Sequence, residues 1–454
     1  MKPSISPPFI RPAGFLAAII LVATASAAPR LEGQGNVSLP NPLDLKAAIS
    51  YALDHNYDIR LAREAIRGQE GLIVEVKAQI LPNVTASANY TKTDDNLAQG
   101  ATPSTQDWTI AIQARQAVYA GGGIKAAIDA QGLVRDASLL NLKATINNAL
   151  LDVRTKFFNI LLARDQIKVQ EENIALLTEQ LRNVTNRFKA GTVSNFDVLQ
   201  AEVQLANAQP TLITARNTYR ISLDQLRQSL GATASLTTDS SKTFEVEGSL
   251  QFTPAQYDLN SALESARANR PELLALSKSE QAQQRNIRLQ KAGYLPTVDL
   301  VGGYEWIKKN SSNRFRDTLD GWMVGAEANW AIFDGRATAG RVMQARSQYE
   351  QARLNTESQT LGIDVEVRQA YSALQEADEL VQATLKTVDQ AKESLRLATA
   401  RFNAGTATQL DVLTSQVALS QARLNELQAS YNYNVALAGM RKAIGQGDVY
   451  APVN

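Results

Sequence analysis

Residues 187–203 read RFKAGTVSNFDVLQAEV, and residues 401–417 read RFNAGTATQLDVLTSQV. Each stretch is typical of a corner between two helices, since a glycine follows one helical segment and a carboxylate lies in the first turn of the next. We expect Gly191 and Gly405 to end the incoming helices and Asn195 to cap the first return helix. The recurrence of this corner 214 residues later indicates a tandem duplication.

The same offset of 214 residues aligns positions far from the corners. Trp108 falls on Trp322, and Gly231 falls on Gly445. The alignment has no gap from about residue 43 to the end of the chain. The sequence therefore predicts two copies of one unit: repeat 1 at 43–231, an equatorial linker at 232–256, repeat 2 at 257–445 and a C-terminal tail at 446–454.

Each repeat changes its hydrophobic period twice. A helical segment ends at a Leu-Pro pair, and two runs with the alternating period of strands follow before the helical period returns after a Gly-rich turn. The expected strands lie at about 83–93, 107–119, 297–308 and 321–333. The expected long helices lie at about 123–189 and 336–403, and the return helices at about 196–230 and 409–444.

The long helices carry apolar residues at steps of four and three, from 363 to 402 and again from 149 to 188. A sustained repeat of 3.5 residues is typical of a coiled-coil seam. At ~1.5 Å per residue, the segment 123–189 makes a helix of roughly 100 Å. Each return helix is about half as long, so we expect two shorter helices, placed end to end, to cover the length of each long helix.

The N-terminus is typical of a secretory signal peptide. Lys2 and Arg11 are basic, residues 15–22 are apolar and residues 25–27 read Ala-Ser-Ala, which predicts a signal at 1–27 followed by an extended segment at 28–42. The apolar run is far shorter than the roughly 20 residues of a spanning helix. The chain has no cysteine, which excludes a lipid anchor, disulfides and thiolate metal sites.

The four tryptophans, Trp108, Trp306, Trp322 and Trp330, all fall in the expected strands. Alternating strands with aromatic ends are typical of outer membrane barrels, and a small soluble sheet packed on the helices is the alternative. Four strands cannot close a barrel, so several chains must share one. Three chains with twelve strands form the simplest closed arrangement, although strand number alone leaves a dimer open.

Other features argue against catalysis and nucleic-acid binding. The net charge is only +1, which gives no electrostatic reason to expect nucleic acid as a partner. The single histidine, His55, lacks companions for a metal site or a catalytic triad. We expect no enzymatic activity, no cofactor and no metal.

The chain resembles the TolC-like outer membrane efflux protein family over essentially its whole mature length. The resemblance rests on the paired R-F-x-A-G-T…D-V-L corners, the Leu-Pro pair before each first strand and the turns VYAGGG and IFDGR. It implies a mainly helical fold with a small antiparallel β part, in which three chains form an α-barrel and a 12-stranded transmembrane β-barrel. It further implies a homotrimer in the Gram-negative outer membrane, in contact with its lipids, with a periplasmic helical part. The implied partners are a periplasmic adaptor and an inner-membrane transporter of the RND, ABC or MFS type.

The resemblance also assigns roles to the corners. The implied periplasmic tip and adaptor contact comprises Arg187, Phe188, Ala190, Gly191, Thr192, Arg401, Phe402, Ala404, Gly405 and Thr406. The implied gate residues are Asp197 and Asp411; a plain helix-start carboxylate is the alternative for both. The family's lock between the corners is not preserved, because Phe402, Ala407 and Thr414 stand at positions where the family has other residues.

The sequence thus predicts the exit duct of a tripartite efflux pump or type I secretion system, with a membrane aromatic belt formed by the tryptophans. A secreted coiled-coil scaffold or adhesin without channel activity is the alternative. Pro210 lies inside the first return helix where repeat 2 has Leu424, which predicts a bend in that helix alone.

Overall fold

The computed structural model describes residues 40–94, 96, 105–232, 245–309, 312 and 314–450. The predicted signal peptide, most of the predicted extended segment, part of the linker and the last four residues of the tail lie outside the described residues.

The described part is mainly helical with one small antiparallel sheet, as the sequence predicts. Repeat 1 contains α1 (Leu45–His55), α2 (Tyr57–Ala78), β1 (Asn83–Lys92), β2 (Gln106–Ala120), α3 (Gly123–Lys189) and α4 (Asn195–Leu230). Repeat 2 contains α5 (Leu259–Asn269), α6 (Pro271–Lys291), β3 (Thr297–Lys308), β4 (Thr318–Asn329), α7 (Ala337–Asn403) and α8 (Gln409–Ala443). None of these described helices is both long enough and apolar enough to cross a membrane.

The backbone follows the duplication closely. Helices α3 and α7 both have 67 residues. Before α3 the chain turns through Gly122 at φ 77°, and before α7 the equivalent residue, Arg336, has φ 71°. A left-handed conformation costs a non-glycine residue roughly 1–2 kcal/mol. The packing of the repeat therefore fixes this turn against the local preference of Arg336.

Strand β4 differs from its predicted range of about 321–333. It ends at Asn329, so Trp330 lies beyond the strand and the prediction was wrong there. The ladder pairs Asn329 with Thr297. The next partner would be Pro296, which has no amide hydrogen to donate, so the ladder stops.

The sheet has the order β1-β2-β3-β4 and is antiparallel throughout, with β2 and β3 joining the two repeats. Trp108 lies opposite Tyr90, and Trp322 lies opposite Tyr304. Opposite residues of an antiparallel pair share a face. One face, the apolar face, therefore carries the aromatic side chains of the strands, and the other, the polar face, carries most of the acidic ones together with a few apolar side chains such as Leu319 and Met323. The edge strands β1 and β4 are exposed along their whole length.

The helices form a layer whose order changes at the equator, the level at which α1 and α5 end. On the sheet side of the equator α2 packs on α3, α3 on α6 and α6 on α7. On the other side α4 packs on α3, α3 on α8 and α8 on α7. The long helices α3 and α7 therefore belong to both halves, and the shorter helices cover them in two steps, as predicted.

The core at the equator contains several of the largest fully buried side chains, among them Tyr433, Phe157, Ile49, Leu230 and Met440. The Tyr433 hydroxyl donates to the carbonyl of Thr253 at 2.6 Å, which ties the linker to α8. From residue 363 onward, every buried residue of α7 is a predicted seam position: Ile363, Val367, Leu374, Ala377, Val381, Val388 and Phe402.

Helix α4 continues through Pro210 without interruption. The Thr211 hydroxyl donates to the carbonyl of Ala208 at 2.6 Å beside it. The bend predicted at Pro210 stays a prediction.

Candidate functional site: the paired helix corners

The two corners turn by the same hydrogen-bonded motif. In corner 1 (residues 187–198), Gly191 has φ 72°, and the amides of Gly191 and Thr192 donate to the carbonyls of Phe188 at 2.9 Å and Arg187 at 3.0 Å. Corner 2 (residues 401–412) repeats both bonds around Gly405 at φ 75°. This pair of bonds ends a helix on a left-handed residue, where glycine carries no steric penalty.

A capping box starts each return helix. Ser194 accepts from the amide of Asp197 with its hydroxyl, and the Asp197 carboxylate accepts from the amide of Ser194 at 2.9 Å. The cap is therefore Ser194 and the predicted Asn195 was wrong, because the box needs a hydroxyl three residues before the acidic side chain. Thr408 and Asp411 form the same box in corner 2.

The carboxylates at both corners are held by their own helix starts. The Asp411 carboxylate accepts from the amide and the hydroxyl of Thr408, both at 2.8 Å. The hydrogen bond from the Thr408 amide has the largest effect and lowers the pKa of Asp411 below its ordinary value. The hydrogen bond from the Thr408 hydroxyl and the nearby charge of Arg401 lower it further. Both Asp197 and Asp411 thus have the capping role that the helix dipole favours, and their gate role stays a prediction.

The two corners touch through side chains that the sequence did not single out as a pair. Arg187 Nη2 donates to Asn403 Oδ1 at 3.0 Å, and the guanidinium carbon lies 4.4 Å from the centre of the Phe402 ring. Gln409 Nε2 donates to the carbonyl of Asp197 at 3.3 Å. These contacts link the last turn of α3 and the first turn of α4 to corner 2.

Phe402 supplies the apolar half of this link, since it is 9% exposed beneath Arg187. Gln409 is 5% exposed. Sequence reasoning missed Asn403 and Gln409; their signal was a polar residue beside the Phe402 seam position and another at the start of a return helix. Arg401, the equivalent of Arg187, makes no side-chain hydrogen bond or ring contact to corner 1 within the described residues.

Below the corners, α3 meets α8 along a polar seam. Asn173 Oδ1 accepts from Ser420 at 3.1 Å and from Gln416 at 3.5 Å. Arg423 forms an ion pair with Glu172 one turn further. These α8 residues recur at heptad spacing, which a search for polar seam positions would have found.

The tryptophans divide between the two ends of the sheet. Trp108, Trp306 and Trp322 lie on the apolar face near the end remote from the helices, where the Trp108 indole donates to the carbonyl of Phe315 at 3.0 Å. Trp330 lies at the helix end, and its indole donates to the carbonyl of Tyr294 at 3.1 Å.

The family model described as outer membrane efflux protein matches the chain twice, over residues 48–232 and 262–446. The two matches start and end 214 residues apart, which is the offset of the duplication. The chain belongs to the outer membrane efflux protein family.

Similar proteins support the same assignment. The chain is 24% identical to the outer membrane efflux protein BepC of Brucella suis over 405 residues, which cover 88% of this chain and 85% of BepC. It is 24% identical to the outer membrane protein TolC of Vibrio cholerae over 377 residues, which cover 82% of this chain and 84% of that protein. The solved structure of the Campylobacter jejuni CmeC outer membrane channel has the same fold, with a TM-score of 0.75 at 17% identity over 88% of this chain and 85% of CmeC.

These matches confirm the predicted family, the mainly helical duplicated fold, the outer membrane location and the function as an exit duct. This family is one of channel proteins. The assignments of individual tip, gate and belt residues are not tested by these matches and stay predictions.

Proposed function

We propose that this protein works as a homotrimer and forms the passive outer duct of a tripartite efflux pump or type I secretion system. A periplasmic adaptor and an inner-membrane transporter of the RND, ABC or MFS type provide its connection to the inner membrane. The protein itself catalyses no reaction. The observation that carries this proposal is a pair of open edges: at every level of the chain, one edge is formed by repeat 1 and the other by repeat 2.

One open edge belongs to repeat 1 and the other to repeat 2. In the sheet the edges are β1 and β4; among the helices they are α2 and α7 on the sheet side of the equator and α4 and α7 on the other side. Because the two edges differ, copies associate head to tail, and such an interface generates a ring when it closes. Three copies give the twelve strands of a closed barrel.

The helical edges are apolar although a single chain leaves them uncovered. On α2, Leu61 is 67% exposed and Val74 is 68% exposed. On α7, Met343 is 72% exposed and Leu361 is 68% exposed. Exposed apolar stripes of this kind indicate a protein interface, and a second copy of the chain fits both edges.

The sheet has the dimensions of a membrane segment. From Trp322 to Trp330 the chain advances eight residues, or roughly 26 Å at ~3.3 Å per residue. Strands of outer membrane barrels tilt by ~35–45°, so this segment rises roughly 20 Å, which is most of the ~25 Å height of their apolar band. Trp108, Trp306 and Trp322 then form the belt at one boundary with the outer membrane lipids and Trp330 marks the other.

The corners form the periplasmic tip, which contacts the adaptor and acts as the gate. The link between Arg187 and the pair Phe402 and Asn403 holds corner 1 to corner 2 in the closed state. The polar α3–α8 seam beneath it lets the two corners separate at small cost, since its hydrogen bonds can be exchanged for bonds to water. Asp411, exposed at corner 2, contributes negative charge to the entrance.

Native mass in mild detergent tests the proposal, using mature protein extracted from outer membranes. We expect a trimer that conducts ions across planar bilayers. Leu72 on the α2 edge and Leu139 on the inner helix α3 are both 46% exposed, so Leu72→Glu and Leu139→Glu form a matched pair. We expect Leu72→Glu to release monomers and Leu139→Glu to leave the trimer intact.

Other masses contradict the proposal in distinct ways. A dimer excludes twelve shared strands. A monomer that is stable without detergent and conducts no ions excludes the duct and favours the scaffold or adhesin alternative.

A further inference from the structure

An ion cluster on the polar face of the sheet connects three strands and both repeats. Arg115 of β2 donates through Nη1 to Asp299 of β3 at 3.1 Å and through Nη2 to Glu327 of β4 at 2.7 Å. The register places Asp299 directly opposite Glu327, so the carboxylates share a face. This face lies opposite the one that carries Trp322, because residues alternate along each strand.

The charges on this face are mostly negative. Besides the cluster it carries Asp107 and Glu305, toward the end of the sheet remote from the helices. Within the four described strands the face therefore has one arginine and four carboxylates. The strand β1 adds only neutral polar side chains to it, such as Ser87 and Asn89.

The cluster lies near the helix end of the sheet. Asp299 comes two residues after the start of β3, and Glu327 comes two residues before the end of β4. Helix α7, which separates this level from corner 2, has 67 residues and spans roughly 100 Å. Charges so far apart are independent, since the Debye length is only about 8 Å at physiological ionic strength.

We propose that this face makes the sheet-level part of the duct selective for cations, with Arg115, Asp299 and Glu327 as its selectivity-determining residues. The inference rests on the proposed duct, in which the apolar face contacts lipid and the polar face lines the lumen. Three copies then place three arginines and six carboxylates around the pore near the helix end. Fixed negative charge on a confined surface raises the local concentration of cations and lowers that of anions.

Replacing the two kinds of charge in the cluster is expected to change the ion selectivity in opposite directions. Glu327→Gln removes a negative charge and lowers the permeability ratio of potassium to chloride. Arg115→Gln removes the positive charge and raises this ratio. In the single chain Arg115 and Glu327 are 57% exposed and Asp299 is 23% exposed, so each replacement leaves the remaining charges in contact with solvent.

The experiment measures reversal potentials in planar bilayers under a potassium chloride gradient. All variants carry Asp411→Asn, which removes the carboxylate at corner 2 from the comparison. Asp320→Asn is the matched control, because Asp320 lies opposite Trp306 on the apolar face. We expect Glu327→Gln and Arg115→Gln to change the permeability ratio about twofold in opposite directions at low salt, and Asp320→Asn to leave it unchanged.

The outcomes separate this inference from the proposed function. A conducting channel whose permeability ratio is insensitive to both replacements, or shifts in one direction for both, overturns the selectivity inference and leaves the duct. Equal effects of Glu327→Gln and Asp320→Asn also overturn it, because the two faces then have equal access to the ion path. An oligomer that conducts no ions overturns the duct and the selectivity together.

Discussion

In each repeat the first two helices are interrupted at an equivalent residue, and different side chains stabilise this helix break in the two repeats. In repeat 1 the break is at Asn56, whose Oδ1 accepts from the amides of Asp58 at 2.9 Å and Ile59 at 3.2 Å. Its Nδ2 donates to the carbonyl of Ser229 at 2.7 Å. A buried neutral amide therefore caps α2 and joins it to the end of α4.

Repeat 2 has Arg270 at the position of Asn56, with a side chain that is only 5% exposed. Arg270 pairs with Glu366 at 2.6 Å and with Glu272 at 3.1 Å. Lys442 pairs with Glu366 at 3.2 Å, so an ion network joins α6, α7 and α8. The same backbone break is held here by charges.

The element that both repeats share is a close backbone contact. A Cβ atom at Gly231 would lie 2.2 Å from the carbonyl oxygen of His55, and one at Gly445 would lie 2.8 Å from the carbonyl carbon of Asn269. The end of each return helix thus packs directly on the break of its own repeat. The comparison indicates that this backbone contact defines the equator, while the polar chemistry around it is free to differ.

The largest effect is expected where the shared contact is removed. Gly231→Ala puts a methyl group against the His55 carbonyl at a residue with φ 74°, and we expect it to destabilise the protein by about 3–5 kcal/mol. Gly445→Ala should cost somewhat less, because its nearest contact is longer. Thermal unfolding in detergent, followed by circular dichroism, measures both.

Gly191→Ala is the control, since Gly191 has a similar φ of 72° but no atom within 4 Å of the added methyl. It should cost only the roughly 1–2 kcal/mol of the left-handed conformation. If all three variants unfold alike, the close contact does not define the equator.

The second effect concerns the ion network of repeat 2. Glu366→Gln should destabilise the protein by about 1–2 kcal/mol, less than a fully buried pair, because Glu366 is 41% exposed and Glu272 still pairs with Arg270. The matched variant is Asp152→Asn in repeat 1, where Asp152 is 50% exposed and, within the part of the chain that the structure describes, pairs with Lys156 alone. We expect it to change the unfolding free energy by less than about 1 kcal/mol. Equal losses of unfolding free energy in chemical denaturation would show that leaving the buried Arg270 with one fewer partner does not destabilise the protein.

The third effect concerns the corners, where Arg187 of repeat 1 contacts Asn403 and Phe402, whereas the equivalent arginine of repeat 2 makes no such contact within the described residues. Arg187→Ala removes a hydrogen bond and a cation–ring contact, together worth about 1 kcal/mol, which corresponds to several-fold more time in the open state. Arg401→Ala, its partner in repeat 2, removes neither contact. Single-channel recordings measure the open probability. A rise for Arg401→Ala that equals the rise for Arg187→Ala would exclude Arg187 as the link.

The smallest effect is a pH dependence at corner 2. Because its pKa is lowered in the fold, the Asp411 carboxylate stabilises the corner above the unfolded value of about 3.9. That contribution is lost as the pH falls through the lower, folded value. Acid unfolding of Asp411→Asn should therefore be less steep than that of the unmodified protein. An identical acid profile for both would contradict a stabilising role of the charge.

Much of the fold could be predicted from local signals. Gly191 and Gly405 end their helices as expected, and seven predicted seam positions of α7 between Ile363 and Phe402 are buried, while the others are half-buried. The strand starts at Asn83 and Thr297 followed from the Leu-Pro pairs. These features depend on neighbours within a few residues, and each of them occurs once in each repeat.

The sequence predictions failed where two neighbouring residues are both suitable for one role, or where a residue far away in the sequence decides the outcome. Ser194 and Asn195 are both good helix caps, and only the bond from the Ser194 amide to Asp197 decides between them. The end of β4 depends on what lies opposite it, and that residue is Pro296 on another strand.

By itself the sequence determined the duplication, the order of helices and strands, the two corners and the family. The tertiary structure alone decided that Arg187 meets Phe402, that Asn56 and Arg270 occupy one level, and that Arg115 joins Asp299 to Glu327. The physical reason is range: helix ends, turns and hydrophobic period are local properties of the chain, whereas these contacts join residues far apart in sequence that only packing brings together.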